Sequence, residues 1–125
     1  MVGPRTVQEH KRRLESELQV FVDHWSRDPS IKKIILFGSV ARGDVHRSSD
    51  LDLIIIQETD KKFLSRLEPF YRDARIAMDI LVYTPEEFAA MMEGVFLKNA
   101  LRDGVVIYEA GTGKRRKQMA ETSGA

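Results

Sequence analysis

Ile31-Lys32-Lys33-Ile34-Ile35-Leu36-Phe37-Gly38-Ser39-Val40-Ala41-Arg42-Gly43 and, after a short polar loop, Ser49-Asp50-Leu51-Asp52-Leu53-Ile54-Ile55-Ile56-Gln57 set the architecture of this chain. Ile31 to Phe37 and Leu51 to Gln57 are short apolar runs bounded by turn residues, the pattern of buried strands. The loop from Asp44 to Ser49 is too short for the crossover that parallel neighbours need, so these strands are expected to run antiparallel. Ser39 to Arg42 fits a short helical turn that Gly43 stops. Alternate side chains share one face of a strand, so Asp50 and Asp52 point the same way. They stand across from a glycine-serine turn whose backbone can come close to a phosphate. Holding a divalent metal and a nucleotide accounts for that juxtaposition; packing does not.

The remaining elements fall into place on either side. Thr6-Val7-Gln8-Glu9 fits a capping box, and Leu14, Leu18, Phe21, Val22 and Trp25 recur at helical spacing after it. That helix should run to about Ser26, where Asp28-Pro29-Ser30 breaks it. Phe63, Leu64, Leu67, Phe70 and Tyr71 give Lys61 to about Arg75 a helical period, with Pro69 interrupting it. Ile76 to Tyr83 is a third strand. Thr84-Pro85-Glu86-Glu87 starts another helix strongly, with Thr84 as N-cap, Pro85 at the first position and Glu87 at the third. Phe88, Met91, Met92, Val95 and Phe96 form its stripe, read as core, and Gly104 is its stop. Gly94 weakens or splits it. Val105 to Tyr108 adds a short edge strand. The order α-β-β-α-β-α-β specifies an α/β (α+β) fold, a small mixed sheet flanked by helices.

Composition bounds the rest. The 125 residues, 42% hydrophobic and 31% charged, suit a single globular domain with a real core. Residues 1–110 are read as that domain. Residues 111–125 carry Gly, Ser, Thr and charge and are read as a disordered tail. Net charge is +1, of which Lys114, Arg115, Arg116 and Lys117 with Glu121 supply +3, leaving the rest at −2. No basic field argues for direct nucleic-acid binding. The absence of cysteine excludes disulfides, thiolate metal sites and cysteine nucleophiles. No run approaches the roughly 18 apolar residues of a membrane span, and the N-terminus lacks a signal-peptide core. A cytoplasmic protein without a membrane partner is expected.

Asp79 completes the chemistry. It interrupts Ile76-Ala77-Met78-Asp79-Ile80-Leu81-Val82-Tyr83, an otherwise apolar strand, where aspartate is disfavoured and an unpaired charge is costly. If strand three lies beside strand two, Asp50, Asp52 and Asp79 converge. Two carboxylates ~4 Å apart repel by roughly 4 kcal/mol at an effective dielectric of about 20. A cation or a proton must therefore intervene. Oxygen ligands with no nearby His or Cys point to Mg²⁺, with Mn²⁺ as the alternative. Backbone N–H groups at Gly38 and Ser39 can hold nucleotide phosphates, with Arg42 adding charge and the Ser39 and Ser49 hydroxyls adding hydrogen bonds.

Gly38-Ser39 through Gly43, then Asp50-Leu51-Asp52-Leu53, with Asp79 in the position of a third acidic residue, resembles the minimal nucleotidyltransferases of the DNA polymerase β superfamily. The likeness runs from about Ile31 to Tyr108 and is greatest to the members encoded beside HEPN-domain proteins. The resemblance implies a two-metal transfer of NMP, most simply AMP from ATP. Asp50 and Asp52 would bind the metals that position the triphosphate. Asp79 would hold the second metal and assist deprotonation of the acceptor hydroxyl. In HEPN-linked members the acceptor is a tyrosine of the partner toxin, which makes the enzyme the antitoxin of a toxin-antitoxin pair.

Other readings stand beside these. Asp79 could be an edge aspartate paired with Arg72 or Arg75, and Ser49 a turn cap. His10 and His24 read as helix-surface residues and His46 as a loop residue. The chain could instead be a non-catalytic antitoxin that silences its partner by contact, or could modify a small molecule such as an aminoglycoside. Homo-oligomerisation is open.

Overall fold

A computed structural model describes residues 6–72, 74–111 and 114–115. Helix α1 spans Val7–Trp25 and opens as its capping box requires, with the Thr6 side chain accepting from the Glu9 N–H at 3.0 Å. Strand β1 (Ile31–Phe37) runs straight into the short helix α2 (Gly38–Arg42), and Gly43 closes α2 in the left-handed conformation at φ 82°. Strand β2 is Leu51–Gln57, β3 is Met78–Tyr83, and β4 is Val105–Glu109. The two-residue β5, Lys114–Arg115, pairs with β4 inside the segment read as tail. The rest of that segment, 112–113 and 116–125, lies outside the described residues.

The sheet order is β3-β2-β1-β4-β5. β1 pairs antiparallel with β2 and with β4, while β2 and β3 are parallel. This is the mixed sheet expected, with the short 44–49 loop joining an antiparallel pair.

Alternation along the strands sorts side chains onto two faces. Ile34, Leu36, Leu51, Leu53, Ile55, Ile80 and Val82 pack with Leu14, Leu18, Phe21 and Val22 of α1. Ile35, Ile54, Ile56 and Tyr83 pack on the other face with Leu97 and Ala100. Burial of such side chains, roughly 1.5–3 kcal/mol each, is the main force holding helices to the sheet. By the same alternation Asp52 shares the face of Ile54 and Ile56, and Asp79 that of Leu81 and Tyr83.

Two helical expectations need correction. Lys61 to Arg75 is not one helix: Phe63–Arg66 is a 3₁₀ turn, and α3 is the single turn Glu68–Tyr71. Pro69 has no N–H to continue a ladder from the preceding turn and its ring crowds that turn, so the helix restarts around it. Arg66 then serves as a buried anchor, 6% exposed. Its Nε donates to Lys61 O (2.8 Å), Nη1 to Val82 O (3.1 Å), and both Nη atoms to the Glu87 carboxylate (2.6 and 3.0 Å). The second helix is split, as Gly94 suggested, into α4 (Pro85–Met91) and α5 (Val95–Arg102), with Gly94 as N-cap of α5. The stripe read as core is largely exposed, at 46% for Met91, 41% for Met92, 78% for Val95 and 49% for Phe96. The split turns α5 so that Leu97 and Ala100 face the sheet instead.

Candidate active site

The carboxylates gather where β1 ends and β2 and β3 begin. Strand register sets Phe37, Asp52 and Asp79 in one row across three strands, with Phe37 opposite Asp52 and Asp52 opposite Asp79. Asp50 lies two residues before Asp52, on the same face. Asp52 and Asp79 are in hydrogen-bond contact, and Asp50 adds its charge. Burial pushes the Asp52 carboxyl up to about 6, helped by Asp79 and then Asp50, while Arg42 pulls it down. Asp79 does stand exposed on an outer strand, as the edge reading has it. Arg72 pairs with Glu68, and Asp79 meets a second carboxylate.

The glycine-serine turn closes on this row. Gly38 has φ 79°, and a Cβ there would collide with Asp52 Oδ2 and lie 3.0 Å from Asp52 Cγ. Both its dihedral and its neighbour require glycine. The first N–H groups of α2 have no partners within the helix and are available to an anionic ligand beside the carboxylates. Arg42, in the last turn of α2, sits near enough to act on Asp52 and places its Nε 3.7 Å from Asp44 Oδ2. Phe37, Gly38 and Arg42 form one wall of a pocket of ≈ 280 Å³; Phe96, Asn99, Ala100 and Asp103 form the other.

The loop between the motifs is fastened from beneath. Ser49, 3% exposed, accepts from the His46 N–H (2.9 Å) and meets Ser39 Oγ at 3.2 Å. Its hydroxyl thus ties the turn to the loop. His10 is not a free surface residue: its Nε2 lies 2.8 Å from Ser49 O. The first turns of α1 lie over the loop, so this side chain steadies the peptide just before Asp50. No periodic pattern in the sequence carries that information. His46 bonds Ser48 through Nδ1 (3.0 Å), as a loop residue should.

The donor set suits a hard cation. Among the described residues no three His, Asp or Glu side chains are grouped so that they could hold an ion together. Mg²⁺ does not need such a cage, being held by one or two carboxylates, water and substrate phosphates. The protonation pressure on Asp52 is what a bound cation would relieve. The site can therefore hold a metal at Asp52 with Asp50 or Asp79, and phosphates at the turn.

Comparison with known proteins agrees with this geometry. The family "Polymerase beta, Nucleotidyltransferase" matches residues 21–112. A Methanocaldococcus jannaschii protein named as a candidate protein adenylyltransferase is 35% identical over 79 residues, covering 62% of this chain and 79% of the relative. The crystal structure of a candidate nucleotidyltransferase from Sulfolobus solfataricus superposes with a TM-score of 0.65 at 22% identity. That match covers 91% of this chain and 96% of the other, and shows a shared fold. With a glycine-serine turn set against a row of aspartates, and a family match over most of its length, the chain belongs to the polymerase β nucleotidyltransferase family.

Proposed function

We propose that this nucleotidyltransferase moves AMP from Mg²⁺·ATP to a hydroxyl of a protein partner, namely a tyrosine of a HEPN-domain protein that it silences as antitoxin. The observation that carries the reading is the register contact of Asp52 with Asp79 directly against the Gly38 backbone. The name of the M. jannaschii relative supports protein as the acceptor class, and the resemblance to HEPN-linked members supports the partner.

Bound metal, in two positions, would neutralise the charge that develops on the entering and leaving oxygens. The chain's own groups do the rest. The turn at Gly38 and Ser39 orients the β- and γ-phosphates, and Arg42 adds positive charge. Phe37 and Phe96 line the pocket that takes the nucleoside. Asp50 and Asp52 fix the α-phosphate against the acceptor, and Asp79 receives the hydroxyl proton. The acceptor oxygen bonds to the α-phosphorus, the bond to the bridging oxygen breaks, and pyrophosphate leaves. Holding reactants in line in this way is a large part of any rate enhancement.

Co-expression with a HEPN partner followed by mass spectrometry tests the reading. The partner's tyrosine should gain one AMP with the native enzyme and none with Asp50→Asn. A partner that stays unmodified while still silenced would instead favour contact inhibition. The exposed Met91, Met92, Val95 and Phe96 give that second reading a docking face.

A further inference from the structure

Among the described residues β3 is the outermost strand on its side of the sheet, and one edge of it has no strand partner. Three of its peptide groups there are nonetheless bonded by side chains. The Tyr71 hydroxyl donates to Met78 O (3.0 Å) and accepts from the Ile80 N–H (2.8 Å). Arg66 Nη1 donates to Val82 O, further along the same edge. Residues 78, 80 and 82 thus turn their peptides to the open edge, and the parity of a strand turns those of Asp79 toward β2. One hydroxyl bridges the two positions that flank Asp79, doing what an additional strand would do.

We propose that Tyr71 is a positioning residue for Asp79, clamping its backbone so that its carboxylate stays in register with Asp52. This rests on the catalytic reading of Asp79 given above. Asp79 is the second residue of β3, and no regular element precedes it from Ala74 to Ala77. Such a strand end frays unless something holds its outer side. Tyr71 can hold it because α3 is itself anchored: Phe70 is 3% exposed and packs with its ring centroid 4.4 Å from that of Trp25. The clamp therefore connects the aromatic core on the α1 face to a carboxylate on the opposite face. Part of the Tyr71 ring remains in solvent, 38% exposed, so the side chain is not placed there for burial alone.

The test is Tyr71→Phe, which removes the hydroxyl and keeps the ring. Steady-state transfer of AMP from α-labelled ATP to the HEPN partner is measured with Mg²⁺. The expected result is a kcat lowered roughly ten- to hundred-fold, the scale of a misplacement near 1 Å, with KM for ATP changed less than about two-fold. Tyr108→Phe is the control: its hydroxyl bonds Ser26 O (3.3 Å) at the far end of the sheet, and its loss should leave kcat unchanged. A kcat for Tyr71→Phe equal to that of the native enzyme, or lowered no more than by Tyr108→Phe, overturns the proposal. If Tyr71→Phe does not fold, amide exchange at Ile80 in the native protein decides. Protection supports the clamp, and exchange as fast as at an unbonded edge amide rejects it. Asp79→Asn separates the two levels. Full activity in that variant refutes the catalytic reading itself, whereas an inactive Asp79→Asn beside a fully active Tyr71→Phe refutes only the clamp.

Discussion

Replacing Asp52 by asparagine should make the metal-free protein more stable while abolishing transfer. Asp52 stands between Phe37 and Asp79 in the sheet, with Asp50 nearby, and its carboxyl is raised from 3.8 to about 6. Between those values the folded state holds a proton that the unfolded state has lost, so stability falls as pH rises through the window. The favourable contribution is complete below 3.8 and gone above about 6. A shift of about 2 units corresponds to about 3 kcal/mol. Solvent screening at a half-buried site reduces this to about 1–3 kcal/mol. The asparagine side chain carries no charge to desolvate, so the variant should exceed the native protein by that amount at about pH 7.5, with the gap closing toward about pH 4. Urea melts with EDTA across this range measure it. Added Mg²⁺ should reverse the order, because only the native site gains from binding. A variant no more stable than the native protein at neutral pH, or a gap independent of pH, would show that the Asp52 carboxylate is not under this strain.

Four further variants have expected outcomes. Gly38→Ala must adopt a left-handed φ and meet Asp52, costing about 1–3 kcal/mol and most of the transfer activity. Gly43→Ala shares the φ penalty but meets no atom within 4 Å, so it should fold less stably yet keep its activity; equal losses in both would remove the special role of Gly38. Phe96→Ala should raise KM for ATP roughly ten-fold, given about 1–3 kcal/mol for a base stacked on an aromatic ring, with kcat little changed. An unaltered KM would move the nucleoside out of the Phe37–Phe96 pocket. Glu87, held by Arg66 and lowered from 4.5 to about 2, should contribute stability above pH 4.5 that is lost as pH falls through about 2. Acid melts of Glu87→Gln, which lacks this transition, check it.

Sequence carried the site further than it carried the packing around it. Gly38, Asp50 and Asp52 were legible because a strand has a period of two and because packing alone does not put a glycine turn beside two carboxylates. Asp79 was legible as a charge in an apolar strand, and the parallel pairing of β2 with β3 places it opposite Asp52. The helix expected over 61–75 failed at Pro69, where apolar periodicity was stronger than the backbone's ability to follow it. The Met91 to Phe96 stripe failed for a related reason: once Gly94 splits the helix, α5 no longer shares the phase of α4. His10 and Tyr71 were illegible in a different way. Each bonds a backbone group distant in the chain or across an edge, and such side chain to main chain bonds leave no periodic trace.

Label transfer from α-labelled ATP to the purified partner, with Mg²⁺ present, probes the chemistry itself when the native protein is set beside Asp50→Asn and Asp52→Asn. The label is expected to appear on the partner with the native protein alone, to be absent with γ-labelled ATP, and to vanish with EDTA. Transfer that persists in both variants, or label carried from the γ-phosphate, would overturn the assignment of these aspartates to AMP transfer.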